Sequence, residues 1–238
     1  SGVATLHYYC SVHSGMGGQA NTNSTAGASN FDGSTQSTVK ANPEAGFSIV
    51  SYTGSGSATT LGHGLNATPS LVICKDRTAA DAWLTWAEGF SANEYLYLNT
   101  TAAKGSYSGT WGSTPTSSVF GVSDQAANAS GNNFIAYCIS PVAGYSAVGS
   151  YEGNGSSDGP FVYTGFRPAI IIQKRTDSTG SWTLVDTARD IDNPAALELL
   201  PNSSAAEYDN TSLFDILSNG FKVRATFNNL NASGGSFI

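Results

Sequence analysis

The chain has 238 residues and a net charge of −7, and only 11% of its residues are charged although 40% are hydrophobic. An average soluble domain is about 25% charged; here Ser, Thr, Asn and 27 glycines fill that share, which disfavours long helices but leaves ample apolar material for a core. There is no basic run and no long apolar run, which excludes a phosphate-neutralising nucleic-acid binder and a membrane-spanning helix.

Residues 1–18 open with a β-like run, ATLHYYC, and break into glycine at HSGMGG. Residues 19–45 are polar and read as a linker. From Gly46 onward, short apolar runs alternate with Gly/Ser/Asn clusters: FSIVSY, SLVIC, EYLYL, SVFGV and NFIAYCI, then YSAVGSY, PFVYTGF, AIIIQK, WTLVD, LFDIL and FKVRATF. Spacing of this kind, rich in β-branched and aromatic residues, predicts an all-β fold. The expected form is an antiparallel β-sandwich, jelly-roll or concanavalin-like. Only ADAWLTWAEGF and PAALELL leave room for short helical turns.

The runs repeat. GFSIVSYTGSG at Gly46 returns as GYSAVGSYEGNG at Gly144, and Pro69, Lys75 and Trp83 return 99 residues later as Pro168, Lys174 and Trp182. NTTAA at Asn99 and NASGNNFI at Asn128 return 103 residues later as NSSAA at Asn202 and NASGGSFI at Asn231. So many matches in one register mark two homologous β units, 46–143 and 144–238. If each leaves an apolar face open, the two bury those faces against each other in a pseudo-twofold arrangement. Ile238 corresponds to Ile135, after which the first copy continues through Ala136, Tyr137 and Cys138. The expectation is that the native chain extends by at least one strand, or that another chain fills the gap.

These phrases, together with GHGLNATPSLVICK, GSYEGNGSSDGPFVYTGFRPAIIIQKR and DILSNGFKVRATF, resemble a duplicated domain of tailed-phage virion structural proteins, common in marine phages and prophages. The likeness covers nearly all of 46–238. It implies a non-enzymatic virion component, a tail fibre or capsid-surface decoration module, partnered by its own copies and by other virion proteins. The segment HYYCSVHSGMGG is similar instead to the last loop of a cupredoxin, which implies Cys10, His13 and Met16 as copper ligands in an intact protein. A remnant β-hairpin is the other reading of the same residues.

Other chemistry is sparse. Three histidines limit acid–base and metal catalysis. Asp186, Asp190 and Asp192 in VDTARDID are the candidate carboxylates for a glycan hydrolase of a tailspike. His63, between glycines in LGHGLN, is a candidate partner contact or a turn residue bonded to backbone. Trp83 and Trp182, being duplicated, are expected in the core. Trp86 and Trp111 lack counterparts and are the candidate exposed platform for a host-surface glycan. Cys74 and Cys138 sit in apolar runs and are expected as buried thiols. The favoured function is the virion structural module; carbohydrate binding, glycan hydrolysis and copper binding are the alternatives.

Overall fold

A computed structural model describes residues 5–9, 17–21, 27–123 and 125–238, and Cys10, His13 and Met16 therefore lie outside the described residues. Among the described residues the regular structure is almost entirely β, with two four-residue helices. In order it forms β1 (Thr5–Tyr9), β2 (Gly17–Asn21), β3 (Ala28–Asn30), β4 (Ser37–Asn42), β5 (Phe47–Thr53), β6 (Thr59–Gly62), β7 (Leu71–Asp76) and β8 (Leu84–Ala87). Next come β9 (Glu94–Tyr97), β10 (Gly105–Ser106), β11 (Val119–Val122), α1 (Gln125–Asn128) and β12 (Asn133–Ile139). The remainder is β13 (Tyr151–Glu152), β14 (Phe161–Tyr163), β15 (Ile170–Lys174), β16 (Trp182–Asp186), β17 (Ala195–Glu198), β18 (Tyr208–Leu217), β19 (Gly220–Val223), α2 (Asn228–Asn231) and β20 (Ser236–Phe237).

The principal sheet has the order β10-β9-β8-β7-β12-β5-β4-β3, and every ladder in it is antiparallel. Alternation decides its two faces. Val50, Tyr52, Val72, Cys74, Phe134, Ala136 and Cys138 point inward and are buried with Leu61 of β6 and Phe120 and Val122 of β11, which pair across this core. Sheet therefore packs on sheet, as a β-sandwich does. A second core gathers Ile171, Val185, Leu213, Phe214, Phe221, Val223 and Leu230. It lies among the β15–β16 pair and the four-stranded sheet β14-β19-β18-β17.

The polar stretch assigned to a linker carries β3 and β4, so residues 28–42 belong to the principal sheet. A strand this poor in apolar residues is held by its ladder and by satisfied polar groups. Val39 is its single large buried apolar side chain, while the buried Ser37 hydroxyl donates to Gly62 O at 2.9 Å.

The repeated phrases carry the same hydrogen bonds. Gly54, Gly131 and Gly56 donate their N–H groups to Asn132, Gly54 and Asn128 carbonyls at 2.8, 2.9 and 2.8 Å. Gly153, Gly234 and Gly155 do the same to Gly235, Gly153 and Asn231 at 2.9, 2.8 and 2.8 Å. Tyr52 Oη donates to Ala127 O at 2.6 Å with its ring stacked on Phe134, and Tyr151 Oη donates to Leu230 O at 2.7 Å with its ring stacked on Phe237.

Candidate functional site

Both unmatched tryptophans lie inside. Trp86 is 5% and Trp111 2% exposed. Trp86 faces Val72 across the β7–β8 ladder, on the inward side. Trp111 is clamped by its Nε1–H donating to Glu94 O at 3.1 Å and by its backbone N–H on Ala92 O. As an exposed glycan platform these two residues are corrected to core. Lack of a counterpart in the other copy says nothing about which face of a strand a residue occupies.

His63 is fully buried, and its ring is fixed by backbone on both sides. Nε2 donates to Thr116 O at 3.1 Å, and Nδ1 accepts the Leu65 N–H at 3.2 Å. Burial holds its pKa below the ordinary histidine value, keeping the ring neutral. It is a turn residue bonded to backbone, and the partner-contact reading is corrected accordingly.

The acidic loop is tied down in the same way. Asp186 accepts the N–H groups of Ala188 and Arg189 through Oδ1 and the Arg189 guanidinium through Oδ2. Asp190 accepts from the backbone N–H groups of Ala196 and Leu197. These carboxylates shape their own loop, and only Asp192 is exposed. Cys74 and Cys138 are fully buried, as expected of small hydrophobes. The single proton of Tyr52 Oη goes to Ala127 O, so at 3.3 Å the Cys74 thiol is the donor to Tyr52.

What the sheet does present is its outward face. Phe47 on β5, Tyr137 on β12 and Trp83, just before β8, form a stripe of near-parallel rings. The Phe47–Tyr137 and Trp83–Tyr137 centroids are each 6.3 Å apart, with interplanar angles of 24° and 12°. Ile49, Ile73 and Ile135 flank them, half-buried on the same face. Further along β5 and β12 the face turns polar. Thr38, Ser51, Thr53, Arg77, Thr78 and Asn133 line a shallow open groove of roughly 340 Å³. Thr78 Oγ1 accepts the Asn133 N–H at 2.9 Å, fixing one wall. Flat apolar rings beside a few fixed polar groups are the usual makings of a small-molecule or sugar site.

This stripe escapes the repeat argument, because the duplicated tryptophans take different roles. Trp83 stacks outward on Tyr137, whereas Trp182 is buried and its Nε1–H donates to Tyr97 O of the first unit at 2.9 Å. The available signal was alternation: in NFIAYCI the residues 133, 135, 137 and 139 share the outward face.

Among the described residues no group of three or more His, Cys, Asp or Glu side chains is placed to hold a metal ion, and no helix is long and apolar enough to cross a membrane. Residues 20–238 match the family described as a domain of unknown function (DUF7483). No curated protein and no solved structure matches the chain.

Proposed function

The chain belongs to the DUF7483 family, and from that premise we propose that it is a non-enzymatic structural module of a tailed-phage virion, a fibre or capsid-surface decoration domain that engages its surroundings through the outward face of the principal sheet. The observation that carries this reading is the Phe47–Tyr137–Trp83 stripe with its adjoining polar groove, a surface suited to contact. The phage likeness of the repeated phrases supports the particle. The acidic loop is spent on its own backbone, which favours a structural over a hydrolytic role. Its partners in this reading are further copies and other virion proteins on an extracellular particle. Antibody against the chain, imaged on source particles by electron microscopy, tests it. Decoration of tail or capsid is the expected result, and unlabelled virions overturn the proposal.

A second reading rests on the same face: a receptor module for host-surface glycan. Aromatic rings stack on the C–H faces of sugars while Ser51, Thr53, Asn133 and Arg77 offer hydrogen bonds to hydroxyls. Glycan-array binding that disappears in Tyr137→Ala, with folding retained, supports it. Binding that persists in that variant removes the stripe from the site.

A further inference from the structure

The charges of the principal sheet are sorted by face. On β4, β5, β7 and β12 the outward positions carry Lys40 and Lys75 but no Asp or Glu, and Arg77 follows β7 in the wall of the groove. This occurs in a chain with 17 acidic and 10 basic residues. Every ion pair among the described residues uses other cations: Lys104, Arg175, Arg189, Lys222 and Arg224. Lys40 and Arg77 are exposed, and among the described residues neither side chain meets an acceptor.

The loop that presents Arg77 is held from within. Arg77 N–H donates to Asn133 O at 2.8 Å, next to the Asn133–Thr78 bond. Asp76 is 1% exposed and points to the core side, where Oδ1 accepts the Thr78 and Ala79 N–H groups at 2.7 and 3.0 Å. Its Oδ2 accepts Asn132 Nδ2–H at 2.7 Å. Lys75 Nζ donates to the Asp76, Ala79 and Asp81 carbonyls at 2.6, 3.1 and 2.9 Å, so its charge is fixed where it offsets that carboxylate. Arg77 and Lys40 remain as the uncompensated charges of the face. They flank the groove from opposite sides, Arg77 at the end of β7 and Lys40 two residues along β4 from the lining residue Thr38. Two free cations beside a polar groove set up a potential that favours an anionic ligand.

We propose that this face binds an acidic glycan, with the carboxylate or sulfate of one sugar held by the Arg77 guanidinium and further sugars of the same chain stacked on the Phe47–Tyr137–Trp83 rings. The proposal rests on the glycan reading of this face and adds the charge class of the ligand. A guanidinium fork fits either anion through paired N–H donors. Asn133 in the groove and Tyr137 in the stripe are four residues apart on β12, about 14 Å along the strand. The ligand is therefore an oligosaccharide and not a single sugar. Two free cations neutralise too little charge for a phosphate backbone, whereas spaced single charges on a glycan match them.

Titration calorimetry of the full chain tests this with two pairs of probes at low salt: a galacturonate hexasaccharide and its methyl ester, and a sulfated galactan hexasaccharide and its desulfated form. At least one acidic member is expected to bind about tenfold tighter than its neutral twin, the size of one hydrogen bond to a charged group. That preference is expected to shrink as salt is added, and the pair that shows it tells carboxylate from sulfate ester. Arg77→Gln is expected to erase the preference. Arg167→Gln, at an exposed position of the second unit, changes net charge equally and is expected to leave it intact. Equal affinity for acidic and neutral twins, lost in Tyr137→Ala, overturns the acidic class while the glycan site stands. A preference that survives Arg77→Gln, or that Arg167→Gln also erases, overturns the assignment to Arg77. Acidic binding that persists in Tyr137→Ala shows an anion site without sugar stacking, and the glycan reading of the stripe falls with the proposal. Failure of all four probes to bind removes both.

Discussion

Asn128 and Asn231 are bonded alike, 103 residues apart. Asn128 Oδ1 accepts the Ser55 N–H at 2.8 Å and its Nδ2 donates to Ser57 O at 2.6 Å; Asn231 Oδ1 accepts the Asn154 N–H at 2.8 Å and its Nδ2 donates to Ser156 O at 2.7 Å. Both side chains are buried, so each locks the end of a four-residue helix to the glycine turn after the unit's first strand. Truncation would leave at least one donor and one acceptor of that turn unpaired. Asn128→Ala and Asn231→Ala are each expected to lose about 2–4 kcal/mol in urea unfolding, on the order of two unsatisfied buried groups. Asp at either position should do no better, since it lacks the Nδ2 donor. A loss below about 1 kcal/mol would show that water serves the turn equally well.

Gly54 and Gly153 stand against the same helices. A Cβ on Gly54 would lie 2.1 Å from Ala129 O, and one on Gly153 would lie 2.3 Å from Ala232 O. Those obstacles are backbone and cannot rotate away. Gly54→Ala and Gly153→Ala are therefore expected to lower stability by more than about 2 kcal/mol or to prevent folding. Gly149, whose Cβ would meet nothing within 4 Å, supplies the control. Thermal unfolding of the three variants side by side decides; if Gly149→Ala is as damaging as the others, the steric account is wrong.

The all-β class was legible because short β-branched and aromatic runs alternate with turn residues, and the repeated phrases contain residues that build matching turns: Gly54, Asn128 and Gly131 in one phrase, Gly153, Asn231 and Gly234 in the other. The strands β3 and β4 were not, because pairing is a backbone property and STVKAN offers one large apolar residue to announce it. The site was misplaced for a different reason. Every residue of β8 is buried, so Trp86 sits inside a strand without the alternation that separates faces. Likewise His63 looks like a free loop residue in LGHGLN, and only the folded chain brings Thr116 to its ring.

Lys174 is fully buried with Arg175 O as its acceptor at 2.6 Å; burial, with the charge of Arg175 beside it, lowers its pKa to about 8. Since the unfolded value is about 10.4, the folded chain sheds this proton first, so the penalty is full below pH 8 and stability from this group rises between pH 8 and about 10.4. Burial acts oppositely on the thiols, raising Cys138 and pushing Cys74 up to about 12. Their unfolded forms ionise from about pH 8.5, after which each thiol lowers stability as pH rises. Two thiols outweigh one ammonium, so the protein is expected to lose stability above about pH 9. Lys174→Met removes only the ammonium: it should exceed the original chain by roughly 2–3 kcal/mol at pH 7 and lose most of that lead by pH 10. Urea midpoints at four pH values measure this, and a lead that does not change with pH refutes the buried ammonium.

The two duplicated tryptophans should respond unequally to the same substitution. Trp182 lies in the first unit's core cluster although its strand belongs to the second, and its Nε1–H reaches Tyr97 O at 2.9 Å. Gly180 N–H on Thr101 O at 2.9 Å and Lys104 N–H on Thr176 O at 2.8 Å fasten the stretch of chain just before it. Trp182→Ala therefore opens a cavity at the junction of the units and strands a carbonyl, and is expected to cost about 3–5 kcal/mol. Trp182→Phe keeps most of the apolar volume but loses the donor, and should cost about 1–2 kcal/mol. Trp83, half-buried and stacked outward on Tyr137, has no such role: Trp83→Ala should cost about 1–2 kcal/mol, mainly lost ring contact. Denaturant unfolding followed by circular dichroism ranks the three variants. If Trp83→Ala proves the most damaging, the outward stripe is part of a covered core and the junction between the units does not depend on Trp182.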